Sequence, residues 1–158
     1  MTIRKITING LLIALTVAVS MVISIPIPAT NGLITPIEIG IYLSALIFGP
    51  FAGLLVGAVS GFLIDILLGF GQWAFFSLII HGLQGFVVGY LAFKFNQKNK
   101  LAWLVLGSLI MVTGYFLVSY FSFGISIALP DLFSNLIQSI LGITIAYFIY
   151  PKLNQVIN

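Results

Sequence analysis

Two pairs of polar side chains interrupt long apolar segments, and their chemistry suits the binding of a small molecule. His81 and Gln84 are three residues apart, and Asn135 and Gln138 repeat this spacing further along the chain. In a helix, side chains three residues apart lie near the same face. Imidazole and amide groups in an apolar environment are costly unless they are hydrogen-bonded. The two pairs therefore predict a polar cavity between two helices that binds a small molecule.

Carboxyl and aromatic side chains complete the candidate site. Asp65 lies one turn from the end of an apolar segment, where it either contacts the bound molecule or belongs to a solvated helix end. Rings that carry a polar atom suit the wall of such a cavity, and Tyr42 and Tyr120 are candidates for that wall. The predicted substrate-binding residues are Glu38, Asp65, Trp73, His81, Gln84, Tyr115, Asn135 and Gln138.

Catalysis and metal binding find little support among the residues. The chain has no cysteine, a single histidine and three acidic residues, which are too few for a metal site of three or four ligands. It contains no P-loop, no H-E-x-x-H and no G-x-S-x-G motif. We therefore predict no catalytic residue, no metal and no cofactor. An intramembrane enzyme, the alternative, would need Asp65 and His81 to act as a dyad.

The composition indicates that these residues belong to a membrane protein. Hydrophobic residues make up 61% of the 158 residues and charged ones 6%, and the mean hydropathy is +1.24. Nine charges cannot cover the surface of a water-soluble protein of this size. The net charge of +3 comes from scattered bases that form no continuous stripe, so we predict no nucleic-acid partner. The chain is predicted to be an integral membrane protein in a lipid bilayer, with a single domain over residues 1–158.

Glycine and proline residues divide the chain into six apolar segments that we predict to be helices. They cover about residues 6–25, 36–48, 50–68, 73–95, 101–123 and 126–150, with a polar loop at 29–35. The first segment follows two bases, as in a secretory signal, but roughly 20 apolar residues match a membrane span and exceed a signal's apolar region. The second is short, which is possible where neighbouring helices bury its ends.

The distribution of charge predicts how these helices cross the membrane. Cytoplasmic loops of membrane proteins are enriched in lysine and arginine. With six spans and a cytoplasmic N-terminus, all six bases lie inside, whereas omitting the second helix would move Lys94, Lys98 and Lys100 outside. The same threading places the three acids toward the outer face. We predict an all-α membrane protein of six transmembrane helices, with the N- and C-termini both cytoplasmic.

Small residues recur at a spacing of four in three of the predicted helices. Such stripes let helix backbones approach closely. In the third and fourth helices we predict that the stripe packs within the bundle. In the first helix the stripe either packs within the bundle or docks on a partner subunit. The first-helix stripe is Gly10, Ala14 and Ala18; the other two are Gly49, Gly53, Gly57 and Gly61, and Gly85 and Gly89.

The inner half of the predicted bundle has no ionisable group beyond its rim. Pores and proton relays usually carry such groups across the whole membrane, and the short chain shows no obvious inverted repeat. A substrate-binding protein that borrows its energy source fits these features. A stand-alone transporter or channel is the alternative.

These residues resemble the substrate-binding S components of energy-coupling factor (ECF) vitamin transporters of bacteria, over essentially the full length. The first helix carries the family's AxxxA element between Ala14 and Ala18. The other similar segments are Thr35-Pro-Ile-Glu-Ile-Gly-Ile-Tyr-Leu, Phe48-Gly-Pro, Gly57-Ala-Val-Ser-Gly61 ahead of Asp65, and Asn135-Leu-Ile-Gln-Ser-Ile-Leu-Gly142.

The resemblance implies a role, partners and a location. The chain would sit in the bacterial cell membrane and capture a water-soluble vitamin or precursor at the outer face. Its first helix would dock, through Ala14 and Ala18, on a transmembrane coupling subunit that carries two ATP-binding cassette ATPases. The loop around Asn31 would act as a lid, and the whole subunit would topple in the membrane to release its cargo.

The predicted outer half contains no lysine or arginine, which bears on the identity of the vitamin. A desolvated carboxylate needs a cation or a cluster of donors, and three acids would repel it. A neutral or weakly basic pyrimidine or pyridine could stack on an aromatic ring and bond to the imidazole and amides. Within the family, the hydroxymethylpyrimidine and pyridoxine branches are nearest. Pantothenate is the alternative, since helix N-termini and amides can hold one carboxylate.

Overall fold

Helices dominate the computed structural model, which describes residues 3–28, 30 and 32–157, without the side chains of residues 4 and 5. In this part of the chain, six α-helices accompany two short strands. The helices are α1 (Ile3–Val22), α2 (Ile37–Phe48), α3 (Pro50–Leu67), α4 (Gly71–Lys94), α5 (Lys100–Phe123) and α6 (Ile125–Ile157), and the strands are β1 (Ile25–Ile27) and β2 (Gly32–Ile34). The predicted helical architecture with six helices is confirmed for the described residues.

Two boundaries differ from the prediction because of proline. The first helix ends at Val22, since Ile25–Ile27 pairs antiparallel with Gly32–Ile34, and Pro26 and Pro28 disfavour helical residues before them. The expected polar loop is therefore a small β-hairpin. The sixth helix continues through Pro151 to Ile157, since the φ of proline is compatible with a helix even though its ring removes one hydrogen bond and disfavours the preceding turn.

Four helices, α3 to α6, are long and apolar enough to cross a membrane. The apolar part of α1, Ile6–Val22, and all of α2 are shorter. Large apolar side chains on the outside of the bundle are exposed, for example Phe133 and Phe148 of α6. Such surfaces are stable against lipid rather than water. The chain is a multi-pass membrane protein.

Helix α2 lies at the centre of the bundle and packs against α1, α3, α4 and α6. Its side chains at Ile41 and Tyr42 are fully buried. It ends at Gly49, whose positive φ of 92° suits glycine, and Pro50 begins α3 at once. The neighbouring helices thus bury this short helix, as its length and sequence predict.

Glycines bring the backbones of α3 and α4 into contact. A Cβ atom at Gly53 would overlap the carbonyl group of Gly85, and a Cβ atom at Gly85 would overlap that of Gly53. One turn along, a Cβ atom at Gly57 would overlap the carbonyl of His81. The predicted packing role of these two stripes is confirmed. The close approach also brings Asp65 of α3 next to the inward face of α4.

Candidate substrate-binding site

A cavity opens at the end of the bundle where α3 and α5 end and α4 and α6 begin. We call this end the hairpin end, because the β-hairpin lies over it. The cavity has an empty volume of about 470 Å³, which includes open space at its mouth. Its lining residues are Gly32, Leu33, Thr35, Ile37, Gly61, Ile64, Asp65, Trp73, Ser77, His81, Tyr115, Asp131, Asn135 and Gln138.

The structure brings six of the eight predicted binding residues around this one cavity: Asp65, Trp73, His81, Tyr115, Asn135 and Gln138. The other two, Glu38 and Gln84, are fully buried one layer below and contact lining residues.

The proposed wall residue Tyr120 is 45% exposed and stacks on Phe116. It points outward because Tyr115 and Ser119 occupy the inward face of α5.

The carboxyl group of Asp65 belongs to a hydrogen-bonded chain across three helices. The Ser77 hydroxyl on α4 donates to Asp65 Oδ2 on α3. Because this bond uses the serine proton, the Tyr115 hydroxyl on α5 donates to Ser77 Oγ, at 2.6 Å. The ring of Trp73 lies 6.1 Å from that of Tyr115 between ring centres. Asp65 is thus an oriented acceptor in the cavity wall.

Asp131 is a second carboxyl group in the wall, and the set of predicted binding residues did not include it. Ser119 Oγ donates to Asp131 Oδ2 at 2.6 Å. Asn135, one turn further along α6, is buried in the same wall close to this carboxyl group. The wall therefore presents a carboxyl group and an amide group side by side.

His81 connects the cavity to a polar chain inside the bundle. Its Nδ1 lies 2.8 Å from Gln84 Oε1, and Gln84 Nε2 donates to the Tyr42 hydroxyl at 2.8 Å. The Tyr42 hydroxyl lies 2.6 Å from Ser108 Oγ. Gln84 therefore orients His81 instead of lining the cavity.

Gln138 connects the hairpin to the buried acid of α2. Its Oε1 accepts a 2.6 Å hydrogen bond from the backbone N–H of Thr35, the residue after β2. Its Nε2 donates to Glu38 Oε1 at 2.9 Å. Glu38 is fully buried, and its Oε2 has no partner in the described part of the chain. Glu38 acts on the cavity through Gln138.

Charge is segregated along the bundle. All three acids lie at or just below the cavity, whereas Lys94, Lys98, Lys100 and Lys152 lie toward the opposite end, where α4 and α6 end and α5 begins. No lysine or arginine lines the cavity in the described ranges. Within the same ranges no three His, Cys, Asp or Glu side chains gather as a metal site. The cavity offers carboxyl, amide, imidazole and aromatic groups.

The small-residue stripe of α1 faces away from the bundle. Gly10, Ala14 and Ala18 are exposed, and a Cβ atom at Gly10 would meet nothing within 4 Å. Leu11 and Leu15 beside them are 66% and 61% exposed. The stripe therefore serves no packing within the described chain. Asn31, the predicted lid residue, lies outside the described residues.

The fold is that of a multi-pass helical membrane protein, and its polar cavity lies at one end of the bundle. A family model described as ECF-type riboflavin transporter, S component, matches residues 1–155. The chain belongs to this family of S components. It is therefore a transport protein and not an enzyme, and as an S component it works with the other subunits of an ECF module.

The chain is also similar to individual proteins, one of which is named as a transporter. The thiamine precursor transporter HmpT of Lactococcus lactis subsp. cremoris is 34% identical over 156 residues, which are 97% of this chain and 89% of that protein. An uncharacterised protein of Pyrococcus woesei is 37% identical over 127 residues, 80% of this chain and 85% of that one. A UPF0397 protein of Streptococcus pneumoniae is 41% identical over 91 residues, 56% of this chain and 47% of its own length. The resemblance to S components near the hydroxymethylpyrimidine branch is confirmed.

Proposed function

We propose that this chain is the substrate-binding subunit of an ATP-driven ECF importer and captures a small vitamin precursor, hydroxymethylpyrimidine or a pyridoxine-like compound. The observation that carries the proposal is the lining of the cavity: two carboxyl groups, two amides, one imidazole and two aromatic rings with a polar atom, without a cation in the described ranges. These groups match a small heteroaromatic ring with amino and hydroxyl substituents. The name of the Lactococcus relative, a thiamine precursor transporter, supports the same substrate.

The composition of the cavity argues against vitamins that carry a carboxylate. Burying such an anion requires a cation or several donors, and the wall has Asp65 and Asp131 instead. Pantothenate, the alternative, would depend on Asn135 and on backbone donors. Riboflavin is a second candidate because the family description names it.

Small molecules that remain bound through purification in mild detergent test the substrate directly. We expect mass spectrometry to find a pyrimidine or pyridine, and calorimetry with hydroxymethylpyrimidine, pyridoxine, riboflavin and pantothenate to show binding to one of the first two. Tight binding of pantothenate alone would contradict the cation argument. Tight binding of riboflavin alone would overturn the proposed substrate and leave the S-component role intact.

We further propose that all six helices lie in the bacterial cell membrane, with both termini cytoplasmic and the hairpin end outside. The lysines at the opposite end support this orientation. The chain has no cysteine, so single introduced cysteines can be labelled cleanly. A cysteine at exposed Ile25 should react with an impermeant maleimide from outside, whereas one at Lys98 should not. The reverse pattern would refute the orientation.

The partners would be a transmembrane coupling subunit and two ATP-binding cassette ATPases. The exposed stripe of Gly10, Ala14 and Ala18 on α1 is the surface we assign to the coupling subunit, because small residues permit close helix contact and the stripe has no role inside the bundle. The hairpin segment, including Asn31, would be the lid. Its link to α6 through Gln138 supports this role.

A further inference from the structure

We infer that Gln84, Tyr42 and Ser108 form a relay that holds His81 as the Nδ1–H tautomer and thereby gives the cavity a hydrogen-bond acceptor at His81 Nε2. The inference rests on the proposed function, whose substrate preference it would explain. None of the three relay residues lines the cavity. They are positioning residues that determine which ligands His81 accepts.

The relay is continuous and closed to water. Its three contacts measure 2.8 Å from His81 Nδ1 to Gln84 Oε1, 2.8 Å from Gln84 Nε2 to the Tyr42 oxygen, and 2.6 Å from that oxygen to Ser108 Oγ. Gln84 and Tyr42 are fully buried, and His81 and Ser108 are nearly so. Carbon atoms of Gln84 and Tyr42 also lie within 3.5 Å of the position that a Cβ of Gly107 would occupy. This burial keeps the relay out of contact with bulk water.

The orientation of the Gln84 amide fixes the direction of every bond. Its carbonyl oxygen faces His81, so Nδ1 must carry the proton. Its NH₂ group faces Tyr42, and Tyr42 then donates to Ser108. In the reversed chain Ser108 would donate to Tyr42, Tyr42 to Gln84, and Gln84 to Nδ1, which would put the proton on Nε2. The two chains differ in the orientation of the Gln84 amide, and the structure assigns its oxygen to the side of His81, as in the first chain.

A neutral imidazole that donates through Nδ1 accepts through Nε2. Because Nδ1 is turned toward Gln84, the ring presents its other edge to the cavity, and Cδ2 of that edge lies beside Gly61. Nε2 has no hydrogen-bond partner among the described residues. Together with the carboxyl groups of Asp65 and Asp131, this acceptor favours a ligand rich in N–H and O–H donors. An aminopyrimidine fits this requirement better than its oxo analogue, in which a carbonyl acceptor and one ring N–H replace the two N–H donors of the amino group.

The tautomer can be read directly, because His81 is the single histidine of the chain. NMR of the purified protein with isotope-labelled histidine should show a protonated Nδ1 and an unprotonated Nε2, in the absence of any ligand. A protonated Nε2 in the unmodified protein would overturn the inference. This measurement does not depend on the substrate, so it separates failure of the relay from failure of the proposed function.

Tyr42→Phe tests the relay itself. The substitution removes the acceptor of the Gln84 NH₂ group, which frees the amide to turn and to donate to Nδ1. We expect the Nε2–H form to appear, and the preference for hydroxymethylpyrimidine over its oxo analogue to fall at least about tenfold. Tyr120→Phe, on the exposed side of α5, is the matched control and should change neither. An unchanged tautomer and an unchanged preference in folded Tyr42→Phe protein would refute the relay.

If Tyr42→Phe does not fold, Ser108→Ala takes its place. We then expect a smaller increase of the Nε2–H form and a smaller loss of ligand preference.

Discussion

The side-chain amide of Gln138 accepts a hydrogen bond from the backbone N–H of Thr35, over 2.6 Å and 103 positions of sequence. This bond attaches the segment that follows the hairpin to α6, directly beside the cavity. The same amide donates to Glu38, so one residue lines the cavity, holds its cover and pairs with one oxygen of a buried acid. Movement of the hairpin segment away from α6 must break this bond.

Gln138→Ala should loosen the cover of the cavity. The substitution leaves the Thr35 N–H and the Glu38 carboxyl unpaired, and a buried group without its partner costs about 1–3 kcal/mol. We expect the bound vitamin precursor to dissociate roughly ten- to a hundredfold faster, as measured by stopped-flow or by exchange of labelled ligand. Gln155→Ala, at an exposed position of the same helix, is the control. Equal dissociation rates in both variants would show that Thr35–Gln138 does not hold the cover.

The exposed stripe of α1 should be needed for assembly and not for substrate binding. Replacing Ala14 and Ala18 together by leucine adds bulk where close helix contact requires small residues. We expect the variant to lose co-purification with the coupling subunit and ATP-driven uptake, and to keep the ligand affinity of the isolated subunit. Ala102→Leu, at an exposed alanine of α5, should assemble normally. Intact assembly of the double variant would contradict the assignment of the α1 stripe as the docking surface.

The backbone contact between α3 and α4 should not tolerate a methyl group. Gly53→Ala places a Cβ atom on the carbonyl of Gly85, and overpacking of this kind typically costs about 1–3 kcal/mol. We expect a lower unfolding temperature in detergent. Gly10→Ala introduces the same atom into open space, so its stability should be equal or slightly higher, given alanine's better helix propensity. Equal unfolding temperatures for the two variants would argue against tight glycine packing.

The two tryptophans should respond differently to ligand. Trp73 is buried in the cavity wall, whereas Trp103 donates to the Lys98 carbonyl near the opposite end. Stacking of a heteroaromatic ligand should quench the fluorescence of Trp73. We therefore expect hydroxymethylpyrimidine to quench the Trp103→Phe variant, in which Trp73 is the remaining tryptophan, and to leave Trp73→Phe nearly unaffected. Quenching that survives in Trp73→Phe would place the ligand elsewhere.

The sequence allowed good prediction of the helices because glycine and proline mark their ends. Gly49-Pro50 separates α2 from α3 at the predicted position. The small residues of α3 and α4 predicted close packing for a physical reason, since side chains at a spacing of four share one face. The hairpin escaped prediction because short apolar segments between prolines carry no clear periodicity.

The cavity residues were partly predictable because side chains at helical spacing share one face. Helical spacing found His81 and Asn135, and extending it by one turn would have found Ser77 and Asp131, which lie four residues before them. Spacing could not distinguish Gln84, which points below the cavity, from its neighbours. That distinction depends on the rotation of α4 against α2, which only the packing of the whole bundle determines.

The glycine contact between α3 and α4 also has a mechanical consequence. Two helices in backbone contact cannot slide or separate by small side-chain adjustments. The wall that carries Asp65 and His81 is therefore rigid. The hairpin on the other side is joined to α6 through one described side-chain bond, that of Gln138 to Thr35. The cavity thus pairs a rigid wall with a cover held by few contacts, and the spacing between Asp65 and His81 can stay the same when a substrate enters.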